Sequence, residues 1–276
     1  MTSKTLIAFL AFLDFLTYVS GELDLSNFRL KESSYNSVIS QLDSLLPRRT
    51  VSDVLESTVY TPLPASDFMT KSPWYLKGWR WAEQKSNSDE TDLYWEPQGV
   101  TTASDSGYPN DVVDQEAMMV MWNDVRNKTG GATTAGQGVR VSFVRKGTSA
   151  GNPVNRGYVH VLLVEPYKDN NGKPNYRPLF NVDSGGIVWR GNWLYVTDSQ
   201  QALRVFDLDK IWSVSSSGRN PDPVGLNGTT YSGGAYPFII PQARSVLSLS
   251  VFLHTIANHL HRQQNLHAGL PKRGNF

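Results

Sequence analysis

The chain contains no cysteine. Disulfides, thiolate metal sites and cysteine nucleophiles are excluded, and with them the usual redox clue to compartment. Charge of one sign is missing as well. Lys and Arg number 26 against 25 Asp and Glu, with no long basic run, so nothing marks a nucleic-acid partner. No Walker loop, nucleophile elbow, HExxH or dinucleotide fingerprint occurs. The pairs Gly130-Gly131 and Gly233-Gly234 lack the strand and helix that a phosphate loop needs. No acid follows Asp222, which leaves His254, His259, His261 and His267 without carboxylate partners. His254 and His261 would share a helical face, but a metal helix wants ligands at i and i+4 with acids nearby, so no metal or other cofactor is expected. Past the N-terminal region, no apolar run is long enough to cross a bilayer.

What the chain does have is turn chemistry and aromatics: 22 Gly, 15 Pro and 8 Trp in 276 residues suit a turn-rich β protein. The segment from Asp183 to Trp212 reads most clearly. Ile187-Val188-Trp189, Trp193-Leu194-Tyr195-Val196-Thr197 and Leu203-Arg204-Val205-Phe206-Asp207-Leu208 are β-branched and aromatic runs. Arg190-Gly191-Asn192 and Asp198-Ser199-Gln200-Gln201 separate them as turns, the pattern of an antiparallel meander. Alternation puts Leu194 and Val196 on one face and Trp193 and Tyr195 on the other, both apolar.

An earlier stretch follows the same plan. Gly99-Val100-Thr101 parallels Gly186-Ile187-Val188, Met118–Trp122 parallels Trp193–Thr197, and Gly138–Val144 parallels Ala202–Leu208. The first copy carries polar insertions between Ser104 and Gln115 and between Asn123 and Gln137. Further strands are expected at Gly78–Glu83 and at Tyr158–Pro166, which leads the second copy, and Ala235–Pro241 looks like the opening of a third copy. Repeats of four-stranded meanders point to propeller blades. The run Gly-Ile-x-x-x-Gly-Asn-x-Leu-Tyr-Val-x-Asp…Leu-Arg-Val-Phe-Asp-Leu resembles secreted, propeller-type repeat proteins of microbes, over roughly Trp79 to Pro241. That resemblance implies an architecture and a compartment; it carries no established reaction and no catalytic residue.

The fold class expected is mainly all-β: β-propeller-like blades of four-stranded antiparallel meanders, incomplete in number. Propellers need about four to eight blades, so the chain reads as a truncated propeller or, alternatively, as a small β-rich domain closed by its helices. Residues 1–21 read as a signal peptide, with Lys4, the apolar run Leu6–Leu13 and cleavage after Gly21. Asp14 interrupts the apolar region. Residues 22–72 form a helical and irregular segment, with helices near 34–46 and 51–58 and a capping box at Thr50–Asp53. Residues 73–241 hold the repeats. Residues 242–276 read as a tail, helical from Ser245 to Leu260 and disordered at Pro271–Phe276. Arg48-Arg49 is a dibasic pair that reads as an exposed turn, with propeptide processing as the alternative.

The function expected is an extracellular module for a glycan or protein ligand, with no membrane span after signal removal. Asn127 and Asn227 stand in acceptor sequons and would carry glycans. The rival is a polysaccharide hydrolase or lyase, in which turn carboxylates drawn from Asp183, Asp198 and Asp207 act as acid and base or nucleophile. A ligand-contacting set of Trp189, Arg190 and Trp193 offers flat aromatic faces and a cation. Beside each stands a plainer role: turn bonding for the aspartates and packing for the tryptophans. The residues alone leave open whether the protein is an enzyme. His160, mid-strand among apolar neighbours, reads as core or edge rather than as a general base.

Overall fold

A computed structural model describes residues 30–57, 59–61, 63–64, 79–84, 87–108, 117–125, 138–145, 157–180, 182, 184–199, 202–217 and 223–248. Residues 1–21, expected to be a signal peptide, and Asn127, Asp183 and the four tail histidines lie outside the described residues. The chain divides into Glu32–Leu247, which carries the sheet and both helices, and a second unit formed by its two ends.

Among the described residues the protein is mostly β, with two short helices and a nearly closed, barrel-like sheet. Helix α1 spans Val38–Asp43, strand β1 Arg48–Arg49 and helix α2 Val51–Glu56. A first antiparallel meander follows as β2 (Trp95–Thr102), β3 (Ala117–Asp124), β4 (Val139–Arg145) and β5 (Tyr158–Lys168), with β6 (Pro174–Pro178) folded back on β5. The second is β7 (Ile187–Arg190), β8 (Trp193–Asp198) and β9 (Ala202–Asp207). After it come the short β10 (Ile211–Ser213), the hairpin of β11 (Val224–Asn227) and β12 (Thr230–Gly233), and the long β13 (Phe238–Ser248).

Two four-stranded arrays are present, but ladder partners at the sheet edges group the strands differently from the expected copies. Strand β5, expected to lead the second copy, closes the first, and β13, expected to open a third copy, is the fourth strand of the second. Its C-terminal half pairs antiparallel with β9, Leu203 opposite Val246 and Val205 opposite Arg244. Its N-terminal half pairs parallel with β5, Val161 opposite Phe238 and Leu163 opposite Ile240. Instead of leaving bare edges, the two meanders join fourth strand to fourth strand. Their first strands, β2 and β7, then meet across a seam: the Trp189 amide donates to Thr101 Oγ1 at 3.1 Å and the Gly191 amide to the Ser106 carbonyl at 2.7 Å. Gly99 makes this approach possible, because a Cβ there would stand 3.2 Å from the Ile187 amide nitrogen and 3.3 Å from Gly186 Cα.

The helix expected over Ser245–Leu260 is corrected at its start, while residues 249–260 lie outside the described residues. Residues 245–248 continue β13 as strand and do not begin a helix. Apolar spacing at Val246 and Leu247 fits either element; the open edge of β9 supplies ladder partners and decides for the strand. The strand expected at Gly78–Glu83 is likewise reduced to two short pairings, Trp79–Arg80 with Leu63–Pro64 and Glu83–Gln84 with Asn87–Ser88. The hairpin β11–β12 was not anticipated, although Asn227-Gly228 is a tight-turn dipeptide and Gly228 has φ +63°.

Strand alternation sorts the core into two. Met119 and Met121, Val139, Val141 and Phe143, Val159, Val161 and Leu163, Leu194 and Val196, and Ile240 fill one cluster, joined by Val51, Val54 and Leu55 of α2. The opposite face of the sheet carries Trp122, Val144, Tyr158, Leu162 and Ile239, covered by Val38, Ile39 and Leu42 of α1 and by Ala82. Both helices were expected from their apolar spacing, and Thr50 and Asp53 form the reciprocal capping box at the start of α2.

Candidate functional site

Two polar constellations stand out, one sealed and one open. The sealed one lies on the outer face of the first meander, at the alternate positions of β3, β4 and β5. Trp122 Nε1 donates to Ser142 Oγ at 2.7 Å, and Ser142 Oγ lies 2.8 Å from His160 Nδ1. His160 Nε2 lies 3.0 Å from Asp89 Oδ2, which also accepts from Tyr158 Oη at 2.6 Å. Arg140 Nη2 donates to Asp89 Oδ1 at 2.8 Å and the guanidinium lies over the rings of Trp95 and Trp122. The Ala82 amide donates to Tyr158 Oη and completes the chain. The tautomer follows from the donors. Trp122 can only donate, so Ser142 accepts there and gives its proton to Nδ1, which leaves the imidazole hydrogen on Nε2, facing the carboxylate.

Serine, histidine and aspartate in contact invite comparison with a hydrolytic triad, but the setting argues otherwise. Ser142 is wholly buried, His160 and Arg140 are 2% exposed, and Asp89 arrives from the segment that covers the site. Uncovering the serine would carry away its own aspartate. Burial, reinforced by the charge of Arg140 and opposed by the Asp89 hydrogen bond, lowers His160 to about 4, so the ring is neutral at pH 7. Burial alone would raise Asp89; the hydrogen bond from His160, the charge of Arg140 and the Tyr158 hydroxyl outweigh it and hold the carboxyl well below its ordinary range. The assembly is a buried clasp that fastens the covering segment to the sheet. His160 is core, one of the two places its apolar neighbours implied.

The open constellation is a cleft of about 410 Å³ lined by Arg48, Arg49, Thr50, Asp53, Tyr108 and residues 207–210. Strand β1 carries the arginines and is held by β10, Ile211 opposite Arg49 and Trp212 opposite Arg48. The dibasic pair is thus part of the sheet. Asp43 at the end of α1 takes Arg48 through two hydrogen bonds, Lys210 Nζ at 2.9 Å and Trp212 Nε1 at 3.1 Å. The Arg48 pairing, against the cost of burial, keeps the Asp43 carboxyl well below its ordinary range. Asp207 accepts from Tyr35 Oη at 2.6 Å and from the Asp209 amide at 2.9 Å. Asp209 accepts from Asn192 Nδ2 at 2.6 Å. Asp53 is bound into the helix cap, where the Thr50 amide and hydroxyl lower it. Burial, then the charge of Asp209, raises the phenol of Tyr108, which stays protonated at pH 7.

Those of the residues singled out from the sequence that are described are not gathered into one place. Asp207 lines the cleft, while Asp198 pairs with Arg204 at 2.7 Å at the other end of the hairpin. Asp207 sits opposite Trp193 and Asp198 opposite Ala202. Five residues of extended strand separate the two levels, about 17 Å. That is too far for acid and base to share one glycosidic bond, whose carboxyl groups stand roughly 5–10 Å apart. Trp189 is 1% exposed, with its Nε1 donating to the Gly191 carbonyl, and offers no open face. Arg190 is exposed, and Trp193 is half-buried under the guanidinium of Arg244. Asn227 is exposed at the turn of the β11–β12 hairpin.

Sequence reasoning overlooked Tyr108, which sits in a polar insertion, and Asp89, which belongs to no regular element. Among the described residues no cluster of histidines and acids is arranged to hold a metal ion, and no helix is long and apolar enough to span a membrane. Compared with known protein families, with curated proteins and with solved structures, the chain matches none.

Proposed function

We propose that this protein is a secreted binding module that holds a glycan in the cleft formed by Arg48, Arg49, Tyr108 and residues 207–210. The observation that carries this reading is the cleft's make-up: two guanidinium groups, an ammonium and three carboxylates around one tyrosine ring. Charged planar donors and acceptors suit paired hydroxyls, and a tyrosine edge suits the apolar face of a sugar. The side chains are also held in place beforehand: Asp207 by Tyr35, Asp209 by Asn192, and Arg48 with Lys210 by Asp43. Fixed groups lower the cost of ordering a site on binding. The cleft's volume lies within the roughly 300–1,000 Å³ common for small-ligand sites.

Binding without turnover is the better reading because Asp198 and Asp207, the described carboxylates nominated for hydrolysis, are apart and each is engaged. Secretion draws support from the signal-like N-terminus and from the exposed sequon at Asn227. A glycan array followed by product analysis tests the proposal. We expect binding with no product, weakened roughly tenfold or more by Tyr108→Ala and by Asp209→Asn. Cleavage of a bound glycan would replace this reading with the hydrolase, and an array without binding would remove the glycan. N-terminal sequencing of the exported chain should begin after Gly21, and Asn227→Gln should remove glycan mass.

A further inference from the structure

A second cleft of about 410 Å³ lies beside the first, lined by Arg49, Asp53, Glu56, Ser57, Ser213, Val214, Pro237 and Phe238. The two share Arg49 and Asp53. From these shared walls we infer that the clefts are consecutive subsites for one linear, uncharged glycan, with Arg49 at the crossing point. The inference rests on the glycan reading of the first cleft and extends it.

The spacing follows from strand β10. Lys210 lines the first cleft and Ser213 the second. Three residues of nearly extended chain separate them, about 10 Å. A single sugar ring cannot reach both compartments; a chain of linked rings is needed. Arg49 is placed for the crossing. Its backbone is held by Ile211, its side chain is exposed, and it makes no side-chain hydrogen bond or ion pair among the described residues. Arg48 and Lys210, by contrast, are both engaged by Asp43. Asp53, the other shared residue, is committed to the cap of α2. The Arg49 guanidinium, within electrostatic reach of Asp53 but without a side-chain hydrogen bond among the described residues, is therefore available to ligand oxygens at the centre of the groove.

The charge of the lining selects the class of chain. Arg48, Arg49 and Lys210 face Asp53, Glu56, Asp207 and Asp209. This slight acidic excess, deepened by Asp43 behind the arginines, disfavours uronates and sulfated sugars. The second compartment adds an apolar floor from Val214, Pro237 and Phe238, on which a ring face can rest.

Titration with β-linked glucose and N-acetylglucosamine oligomers, from the disaccharide to the hexasaccharide, tests the inference. For at least one series affinity should rise by roughly tenfold or more with length and then level off. Arg49→Ala should lower hexasaccharide affinity by roughly tenfold or more. Ser57→Trp, which obstructs the far compartment, should abolish the gain with length; circular dichroism checks that each variant folds. Affinity independent of length, a loss confined to Tyr108→Ala, or failure of both series would overturn the two-subsite inference. A positive array would still support the glycan reading in each case, whereas an empty array would overturn both.

Discussion

Asp89 shows how much one side chain can hold. It accepts from Arg140, His160 and Tyr158 in a site closed to water, and it comes from a segment with little regular structure of its own. Replacing it with alanine leaves the Arg140 guanidinium buried without its counter-charge, a loss of about 3–5 kcal/mol. Denaturant unfolding of Asp89→Ala should show it, whereas the exposed Asp209→Asn should change stability little. His160 adds a pH dependence. Its folded value is lowered to about 4 against an ordinary 6.5, so between these limits the unfolded chain binds a proton that the folded chain refuses. Stability should be complete above about pH 6.5 and fall as pH drops towards 4, by on the order of 3 kcal/mol. Urea titrations at stepped pH would measure the slope, and His160→Gln should flatten it. Asp89, held low, loses its own contribution only in more acid solution.

Among the elements, the seam between β2 and β7 is the sensitive join. Gly99→Val would push a side chain into the Ile187 backbone and part the first strands of the two meanders. We expect clear destabilisation, on the scale of overpacking at about 1–3 kcal/mol, and faster amide exchange in β7. Thr50→Ala removes one half of the α2 capping box and should cost about 1 kcal/mol. Most elements were legible in the sequence: β3, β4, β5, β8 and β9 all follow alternation bounded by turn residues. Where an element was misread, periodicity was ambiguous or absent. Val246 and Leu247 fit helix and strand alike, and Tyr108 lies where no pattern exists. The β11–β12 hairpin is legible in Asn227-Gly228, a dipeptide that serves both a sequon and a tight turn.

At the scale of the molecule, the two meanders share one interior and one continuous sheet. Neither can bury its inner face alone, since Val161 and Leu163 of one pair with Phe238 and Ile240 of the other. The unit Glu32–Leu247 should therefore melt in one calorimetric transition. Separate transitions for the meanders would mean that the β5–β13 join is weaker than its pairing implies. The rim cleft also belongs to this scale, because its residues come from β1, α2, Tyr108 after β2 and the link from β9 to β10.

Composition and alternation by themselves determined that the protein is mainly β, where most strands run, which way their side chains alternate, and that two short helices precede them. These are local matters: turn residues, spacing of two against spacing of three and four, and a cap four residues long. Only the tertiary structure decided that the meanders close on each other, that Ser142, His160 and Asp89 form a buried clasp, and that Arg49 stands between two clefts. Each of these brings together residues tens of positions apart, and no local preference records which strand edge, or which distant carboxylate, a given residue will meet.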